Sequence, residues 1–383
     1  MSNSKRGGAW SPELHRMLWG RKISSFHFFG LLGFVAGLTV CVTLSWMLDL
    51  RPWVILFMTA IGVASFFLLA YAARWITGKE MIVYYHQEIA ILLFCTMGLL
   101  AVHLPVLRYL DIGLLGIGTF LAFGRLGCYS VGCCHGRPHR KGVLYGEDHV
   151  AAGFTWYYKN VPLLPVQLIE AAYVFLIVVA GIVLLFRHLA PGTVLIVYTV
   201  IYGAMRFVLE FFRGDPDRPY AYGLSEAQWT TLVLVGLTYG AGMLGWLPYY
   251  RWHFVSLIIL LALSLVVVLF WQPKEAFDLF SPPHMLQVAE GIKSLETGLS
   301  AGGGPLAVHT TPKGLSISSG NGGGGVCHYT VSLKGPRVLK KDTVRRLAGM
   351  IGFLGRHMGG YHIVEKQGGI FHILWQNTKP GGA

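Results

Sequence analysis

Eight apolar stretches, each about 20 residues long, limit the folds open to this chain more than any other feature. A helix of about 20 apolar residues is needed to cross the hydrocarbon core of a bilayer. Helices suit that environment because each pairs its backbone N–H and C=O groups internally. The clearest stretch runs from His253 to Phe270 and contains no Asp, Glu, Lys or Arg. The predicted helix cores are residues 26–48, 53–76, 88–107, 111–128, 165–187, 192–212, 228–247 and 253–272.

The composition also indicates an integral membrane protein. Only 13% of the 383 residues are charged and 54% are hydrophobic, whereas an average soluble domain is about 25% charged. The formal net charge is +13. Because the basic residues mostly flank the apolar stretches or lie in the tail, anionic lipid headgroups are the expected partners, and nucleic acid is not.

The chain divides into four regions by composition. A basic N-terminal segment covers residues 1–25, and a transmembrane domain covers 26–272. A glycine-rich linker is predicted at 273–325 and a small α+β domain at 326–383. The polar segment 129–164 is too long for a simple connection, so it is predicted to form a head or lid. The predicted fold class is an all-α polytopic membrane protein with seven to eight transmembrane helices and a small C-terminal α+β soluble domain.

Secondary structure in the tail is predicted from its own periodicity and from a glycine pair that signals a hairpin. The predicted elements are an amphipathic helix near 284–299, a hairpin over 306–318, a strand at 326–333, a helix at 340–357, and strands at 361–366 and 370–376. No motif in this region indicates a function.

Polar side chains interrupt the sixth apolar stretch. They are Tyr202, Arg206, Glu210 and Arg213. Offsets of 4, 8 and 11 residues from the tyrosine place them within roughly an 80° arc of one helix face. A charge near the bilayer centre costs about 2.5–3.5 kcal/mol on insertion scales, so such residues usually face a cavity and mark function. The alternative is a structural ion pair at a helix end, with the last arginine reaching the membrane interface.

A glycine-rich segment containing one arginine ends the fourth stretch. It reads Gly124-Arg-Leu-Gly-Cys-Tyr-Ser-Val-Gly-Cys-Cys-His-Gly-Arg-Pro138 and includes Gly132 and Gly136. Glycines let the backbone turn sharply and approach a ligand, and an arginine beside exposed backbone N–H groups suits a phosphate. The segment therefore indicates a phosphate site around Arg125. The alternative is a glycine-rich helix end with its arginine at the headgroup level.

Three cysteines and a histidine cluster in the same segment, at Cys128, Cys133, Cys134 and His135. Their C-x4-C-C-H spacing differs from the C-x2-C pairs of structural zinc sites. The sequence therefore predicts no metal ion and no cofactor, and it favours a redox pair or simple packing for these thiols.

Further candidate residues begin the third and fifth stretches. His86 is a natural base at neutral pH, although a histidine among tyrosines is often only an interface residue. Gln167 and Glu170 are three residues apart, so they lie on one helix face. The alternative for Glu170 is a charge that stabilises a helix N-terminus.

Taken in order, these segments resemble the bacterial prolipoprotein diacylglyceryl transferase family over about residues 22–245. His86 falls at the histidine of that family's His-Gly-Gly-Leu motif. The segment from Gly124 to Gly127 matches its signature, and Pro165 to Glu170 matches a His-Pro-Ser-Gln-Leu-Tyr-Glu motif. Residues Tyr202 to Arg213 match its sixth-helix pattern.

The resemblance implies an enzyme of the bacterial cytoplasmic (inner) membrane. The family moves the diacylglyceryl group of phosphatidylglycerol onto a cysteine thiol in a lipoprotein precursor signal peptide and releases glycerol phosphate. Arg125 and Arg206 would hold the phosphate, and His86 would take the thiol proton. The implied substrate-binding residues are Tyr202, Glu210, Arg213, Gly132, Gly136, Gln167, Glu170 and Cys128.

The chain departs from the family pattern at several polar positions. Cys128 stands where the family has Asn, and Cys133 stands where it has Glu. Two alternatives therefore stay open: a divergent member with another acceptor, and a non-catalytic lipid-binding or transport protein. Orientation is open as well, because the distribution of Lys and Arg favours a cytoplasmic N-terminus whereas the resemblance implies the opposite side.

Overall fold

The structure is a computed structural model. The residues that it describes are 12–18, 20–78, 84–155, 158–159, 161–215, 220–270, 279, 282–300, 307–321, 326–335, 339, 341–354, 357, 360–366 and 369–376. The elements of the membrane domain are, in chain order, β1 (His15–Leu18), β2 (Arg21–Ser24), α1 (Ser25–Met47), α2 (Pro52–Thr77), α3 (Tyr84–Ala101), α4 (Val106–Val131), β3 (Pro138–Val143), α5 (Glu147–Ala151), α6 (Val166–Leu185), α7 (Thr193–Leu209), β4 (Tyr220–Ala221), β5 (Leu224–Ser225), α8 (Glu226–Met243) and α9 (Arg251–Phe270).

Each of the eight predicted cores overlaps a helix, although the third, 88–107, runs past the end of α3 at Ala101 and the seventh, 228–247, runs past the end of α8 at Met243. Among the described residues, six of these helices are long and apolar enough to cross a membrane: α1, α2, α4, α6, α7 and α9. Residues 85–101 of α3 form a shorter apolar helix, and the glycine-rich α8 is not one of the six. The chain is therefore a multi-pass membrane protein, which confirms the predicted fold class.

Helix α4 lies at the centre of the membrane domain because small residues let its neighbours come close. A Cβ atom on Gly37 of α1 would lie 2.7 Å from the carbonyl oxygen of Gly116 on α4. On another face, a Cβ atom on Gly118 would lie 2.7 Å from the Tyr198 ring of α7. These contacts leave the C-terminal turns of α4 surrounded by α1, α6 and α7, where an arginine is buried.

The Asp111 side chain joins α4 to the start of α7. Its Oδ2 accepts the Gly192 N–H at 2.7 Å, and its Oδ1 accepts the Leu195 N–H at 2.8 Å. A carboxylate there satisfies N–H groups that have no partner within the helix, and it complements the positive end of the helix dipole. Asp111 therefore fixes the register between two helices that carry site residues.

Strand β3 and helix α5 lie in the segment between α4 and α6, which is called the head. Strand β3 pairs with Leu163 at both of its ends, and α5 contributes to an aromatic cluster that includes Tyr145, Phe154 and Tyr158. An isolated bridge pairs Gly136 with Arg213. The head is therefore tied to the chain that follows α7.

The C-terminal region contains a helix-covered antiparallel sheet with strand order β6-β7-β8-β10-β9. Its elements are α10 (Pro282–Ser300), β6 (Val308–Thr310), β7 (Leu315–Asn321), β8 (Val326–Leu333), α11 (Lys341–Leu354), β9 (Tyr361–Lys366) and β10 (Ile370–Gln376). The predicted strands at 326–333, 361–366 and 370–376 and the helices near 284–299 and 340–357 are all present. Alternation and helical periodicity were strong enough to locate them.

One core joins α10 to the sheet. Val288 and Ile292 of α10 pack with Ile317 of β7 and Tyr329 of β8. Strands β6 and β7, which lie in the segment that the sequence assigned to a linker, belong to the same sheet as β8. Ala289 of α10 also packs into the aromatic cluster of the head.

Candidate active site

A cavity of about 830 Å³ runs along the inside of the membrane domain. It is lined by residues of α1, α2, α3, α4, α7 and α8, and most of them are apolar. Its lining residues on α4 extend from Gly113 to Cys128, which is about 22 Å at 1.5 Å per residue. At one end the lining includes Arg125, Arg206 and Arg213. The cavity therefore has a long apolar part and a cationic end.

Glu170 holds the two central arginines of this cationic end. Its Oε2 lies 2.9 Å from Arg125 Nε, and its Oε1 lies 3.7 Å from Arg206 Nε. The carboxylate of Glu170 is 1% exposed and both arginines are buried. Buried charges need such pairing because the unpaired ion costs several kcal/mol. The three residues come from α6, α4 and α7, so the ion cluster joins three helices.

Tyr202 and Glu210 complete the cluster on the side of α7. The Tyr202 hydroxyl donates to Glu170 Oε1 at 3.1 Å. Glu210 Oε2 lies 2.8 Å from Arg206 Nη1, four residues earlier, without the alignment of a hydrogen bond. Glu210 therefore contacts the arginine pair directly, and Tyr202 contacts it through Glu170, as the polar face of the sixth stretch predicted.

Arg213 does not lie on the helix face that the sequence predicted. Helix α7 ends at Leu209, Glu210–Phe212 is a 3-10 turn, and Arg213 is extended. The bridge to Gly136 requires this change, since a strand-like pairing is incompatible with helical backbone. Arg213 still lines the cavity, where its Nε and Nη2 donate to the two carboxylate oxygens of Asp215 at 2.8 and 2.9 Å.

Three other predicted residues shape the backbone rather than line the cavity. Gly132 ends α4 in the left-handed region, with φ of 85°. A Cβ atom on Gly136 would lie 2.5 Å from the Leu164 carbonyl oxygen. Gln167 Nε2 donates to the Cys133 carbonyl oxygen at 2.7 Å. Together they fix the path of the chain between α4 and the head.

The three clustered cysteines come together in space. Their Sγ atoms all lie within 4.8 Å of one another, and Cys128, Cys133 and Cys134 all line the cavity. His135 does not join them: its Nδ1 lies 2.9 Å from the Gly136 carbonyl oxygen and its ring packs on Phe154. Burial lowers the pKa of His135 below its ordinary value, so this ring is neutral at pH 7.

His86 occupies a more open position than the arginines. Its side chain is 52% exposed, and its Nε2 lies 2.7 Å from Glu226 Oε1. It is not among the cavity-lining residues, whereas its neighbours Gln87 and Glu88 are. The structure therefore brings Arg125, Arg206, Arg213 and Cys128 to the cavity and leaves the histidine at its edge.

Sequence reasoning missed three acidic residues of the cavity. Glu88, Glu226 and Asp215 all line it. The signal for Glu226 was available, because Ser225 and Gln228 form a capping box that begins α8 there. Asp215 carries no signal of its own, since its contact with Arg213 depends on how the chain leaves α7.

A multi-pass helical domain whose elongated apolar cavity ends in buried arginines is suited to an anionic lipid. Comparison with known families agrees with this reading. The model of the family described as "Prolipoprotein diacylglyceryl transferase" matches residues 21–244, more than half of the sequence. The chain belongs to the prolipoprotein diacylglyceryl transferase family.

Individual relatives match over a shorter segment. A phosphatidylglycerol–prolipoprotein diacylglyceryl transferase of Clostridium tetani is 33% identical over 138 residues, which cover 34% of this chain and 52% of that protein. One of Clostridium perfringens is 31% identical over 137 residues, covering 34% of this chain and 50% of that protein. The chain therefore spans about half the length of the curated relatives it matches.

Proposed function

We propose that this protein transfers the diacylglyceryl group of phosphatidylglycerol, or a related anionic lipid, to a cysteine thiol of a lipoprotein precursor in the bacterial cytoplasmic membrane. One observation carries the proposal. Arg125 and Arg206 are buried against the shared carboxylate of Glu170 at the cationic end of a mostly apolar cavity. The family and the names of the relatives support the same reaction.

The apolar part of the cavity fits the acyl chains of such a lipid. Its lining on α4 covers about 22 Å, a large part of the roughly 30 Å hydrocarbon core of a bilayer. A lipid whose headgroup lay at the arginines would keep its chains in this apolar space. Its glycerol carbon would then be next to Arg125 and Cys128, where the reaction takes place.

The arginines would stabilise the leaving group. In the structure, Arg125 meets the carboxylate of Glu170 through its Nε atom, at 2.9 Å. A guanidinium offers five N–H donors in a fixed fork that matches a phosphate. Such preorganised donors stabilise the charge that grows on the phosphate oxygen as the C–O bond breaks. Glu170 keeps both arginines in place before substrate binds.

His86 is the proposed base for the acceptor thiol. Its Nε2 contacts Glu226, whose side chain lines the cavity, so a carboxylate orients the ring at the cavity's edge. A half-exposed position suits a group that meets a peptide arriving from outside. The thiol proton would pass to the imidazole as sulfur attacks the glyceryl carbon.

A direct assay tests the proposal. Protein in phosphatidylglycerol vesicles is incubated with a peptide carrying a lipoprotein-type cysteine, with the label on the diacylglyceryl group. We expect label on the cysteine and one glycerol phosphate released per transfer. Arg206→Lys should lower the rate by at least about 100-fold, as loss of an oxyanion donor does. Arg108→Lys, an exposed arginine on α4, is the matched control and should transfer normally.

Two other outcomes separate the alternatives. A protein that binds phosphatidylglycerol tightly but never releases glycerol phosphate is a lipid-binding or transport protein, and the transferase proposal fails. Release of glycerol phosphate without label on the peptide cysteine indicates a family member with a different acceptor.

A further inference from the structure

Three thiol groups lie together where the cationic end of the cavity meets the head. The Sγ atoms of Cys128, Cys133 and Cys134 are within 4.8 Å of one another and line the cavity. Among the residues that the structure describes, no other set of three metal-binding side chains meets in this way. We propose that these cysteines bind a zinc ion whose open coordination position faces the cavity.

The backbone is built to bring these thiols together. Gly132 ends α4 with φ of 85°, and Cys134 adopts φ of 55°. The second value lies in the left-handed region, which is unfavourable for a residue with a Cβ atom and persists only where the surroundings enforce it. Gln167 fixes the intervening Cys133 through its carbonyl oxygen. Two left-handed residues in three fold the second and third thiols back over Cys128.

The donor set suits zinc. Thiolate sulfur is a preferred ligand of Zn²⁺, and three protein ligands with one open position are the usual arrangement of a catalytic zinc site. Three thiolates and Zn²⁺ together carry one negative charge. Arg125, one helical turn before Cys128 and paired with Glu170, and Arg213, paired with Asp215, line the same cavity and keep positive charge near that site. The spacing along the chain gave no sign of this site because the turn at Gly132, and not a C-x2-C pair, brings the sulfurs together.

The role of the ion rests on the proposed function. The acceptor thiol would occupy the open position, where a bound thiol deprotonates readily, and its proton would pass to His86, the proposed base. The sulfur lone pair then attacks the glyceryl carbon, forming the S–C bond as the C–O bond to phosphate breaks. The electron pair of that bond leaves on glycerol phosphate, which Arg125 and Arg206 hold. Zinc keeps its oxidation state, and the neutral thioether, a weaker ligand than the thiolate, departs.

This role accounts for the departures from the family pattern. Cys128 and Cys133 stand where the resemblance has Asn and Glu, so two polar groups of the family site become two thiols. Both replacements occur beside the arginines and leave them unchanged. The chain would then have exchanged polar contacts around the acceptor for direct coordination of its sulfur.

The test measures metal content and needs no turnover. Full-length protein is purified in detergent without chelators or a polyhistidine tag, and zinc is measured by mass spectrometry. We expect about one zinc per chain. After exchange with Co²⁺, intense sulfur-to-cobalt charge-transfer absorption should appear. Cys133→Ser, at the most exposed thiol, should weaken zinc affinity by at least about 10-fold. Cys327→Ser, in the C-terminal sheet, should bind zinc normally.

Several results would overturn the site. Protein that holds no zinc as purified and takes up neither Zn²⁺ nor Co²⁺ after reduction has no such site. A cobalt spectrum without charge-transfer bands shows that the thiols are not ligands. This measurement uses the unaltered chain, so it is valid even if a serine variant does not fold. Metal-free protein that transfers at the full rate removes the ion's role and leaves the proposed function intact. Zinc-bearing protein that never releases glycerol phosphate keeps the zinc site and contradicts the proposed function.

Discussion

The Glu170 carboxylate lies 2.9 Å from the Nε atom of Arg125, and this buried contact joins α6 to α4 at the centre of the membrane domain. The same carboxylate is 3.7 Å from Arg206 and accepts the Tyr202 hydroxyl at 3.1 Å. One acid therefore serves two arginines and a tyrosine. Its loss would leave cations in a space that water reaches poorly, so the cluster is as much a structural element as a binding site.

The first prediction concerns the neutral variant Glu170→Gln. It leaves two buried guanidinium groups without their shared counterion, and breaking a buried pair by removing one partner typically costs about 3–5 kcal/mol. We expect a loss of that order in the free energy of unfolding, measured by titration with a denaturing detergent. Glu226→Gln removes the acid of a half-exposed pair and should cost no more than about 1 kcal/mol. Equal effects of the two variants would contradict the central role of Glu170.

A second prediction separates two tyrosines that are in ring contact. Tyr202 donates its hydroxyl to Glu170, whereas the buried Tyr173 hydroxyl has no hydrogen-bond partner among the described residues. The two ring centroids are 6.1 Å apart, so both sites share one environment. Tyr202→Phe should lower the free energy of unfolding by about 1.5–3 kcal/mol, as expected for a hydrogen bond to a charged group. Tyr173→Phe should be neutral or stabilising in the same titration.

Sequence periodicity predicted the helices and strands well because those patterns are local. The alternation in β8 and β10 and the apolar length of α9 required no knowledge of the rest of the fold. Arg125 and Arg206 were also accessible, since a charge inside an apolar stretch stands out. Local sequence patterns cannot predict which side chain pairs with each buried charge. Glu170 became the shared acid only when three helices packed together.

At the chain that follows α7, a local pattern predicted a helix turn that the tertiary structure does not contain. Extending the helical period predicted that Arg213 shares a face with Arg206, yet the helix unwinds before it. The cause is tertiary, because the bridge to Gly136 holds this segment against the head. The sequence grouped the three cysteines, but it could not show that their Sγ atoms meet, since a left-handed turn brings them together rather than a regular spacing.

A third prediction tests the close contact at Gly136. A Cβ atom there would lie 2.5 Å from a backbone oxygen of Leu164 and 2.8 Å from Val166, so the chain would have to move. Gly136→Ala should destabilise the protein by about 1–3 kcal/mol, as overpacking does, and should loosen the head. Limited proteolysis within residues 138–164 measures the second effect. Gly146→Ala is the matched control, because a Cβ atom there meets nothing within 4 Å.

The last prediction concerns pH and the C-terminal sheet. His328 on β8 and His372 on β10 are diagonal neighbours across the strand pair, with Nε2 and Nδ1 2.8 Å apart. Burial, and then the nearby charge of His372, lower the pKa of His328 below its ordinary value. The unfolded chain therefore binds more protons in acid than the folded sheet does, so stability is complete above about pH 6.5 and falls as the pH drops below it.

Hydrogen-exchange protection of the β8 and β10 amides, corrected for intrinsic rates, should therefore decrease between pH 7.5 and pH 5.5. His328→Asn should flatten this dependence, whereas His362→Asn, on the exposed side of edge strand β9, should leave it unchanged. Protection that rises in acid would show that the two rings share a proton favourably, and the sign of this prediction would be wrong. A sheet that loosens in acid would also loosen the attachment of α10, whose Ala289 packs against the head.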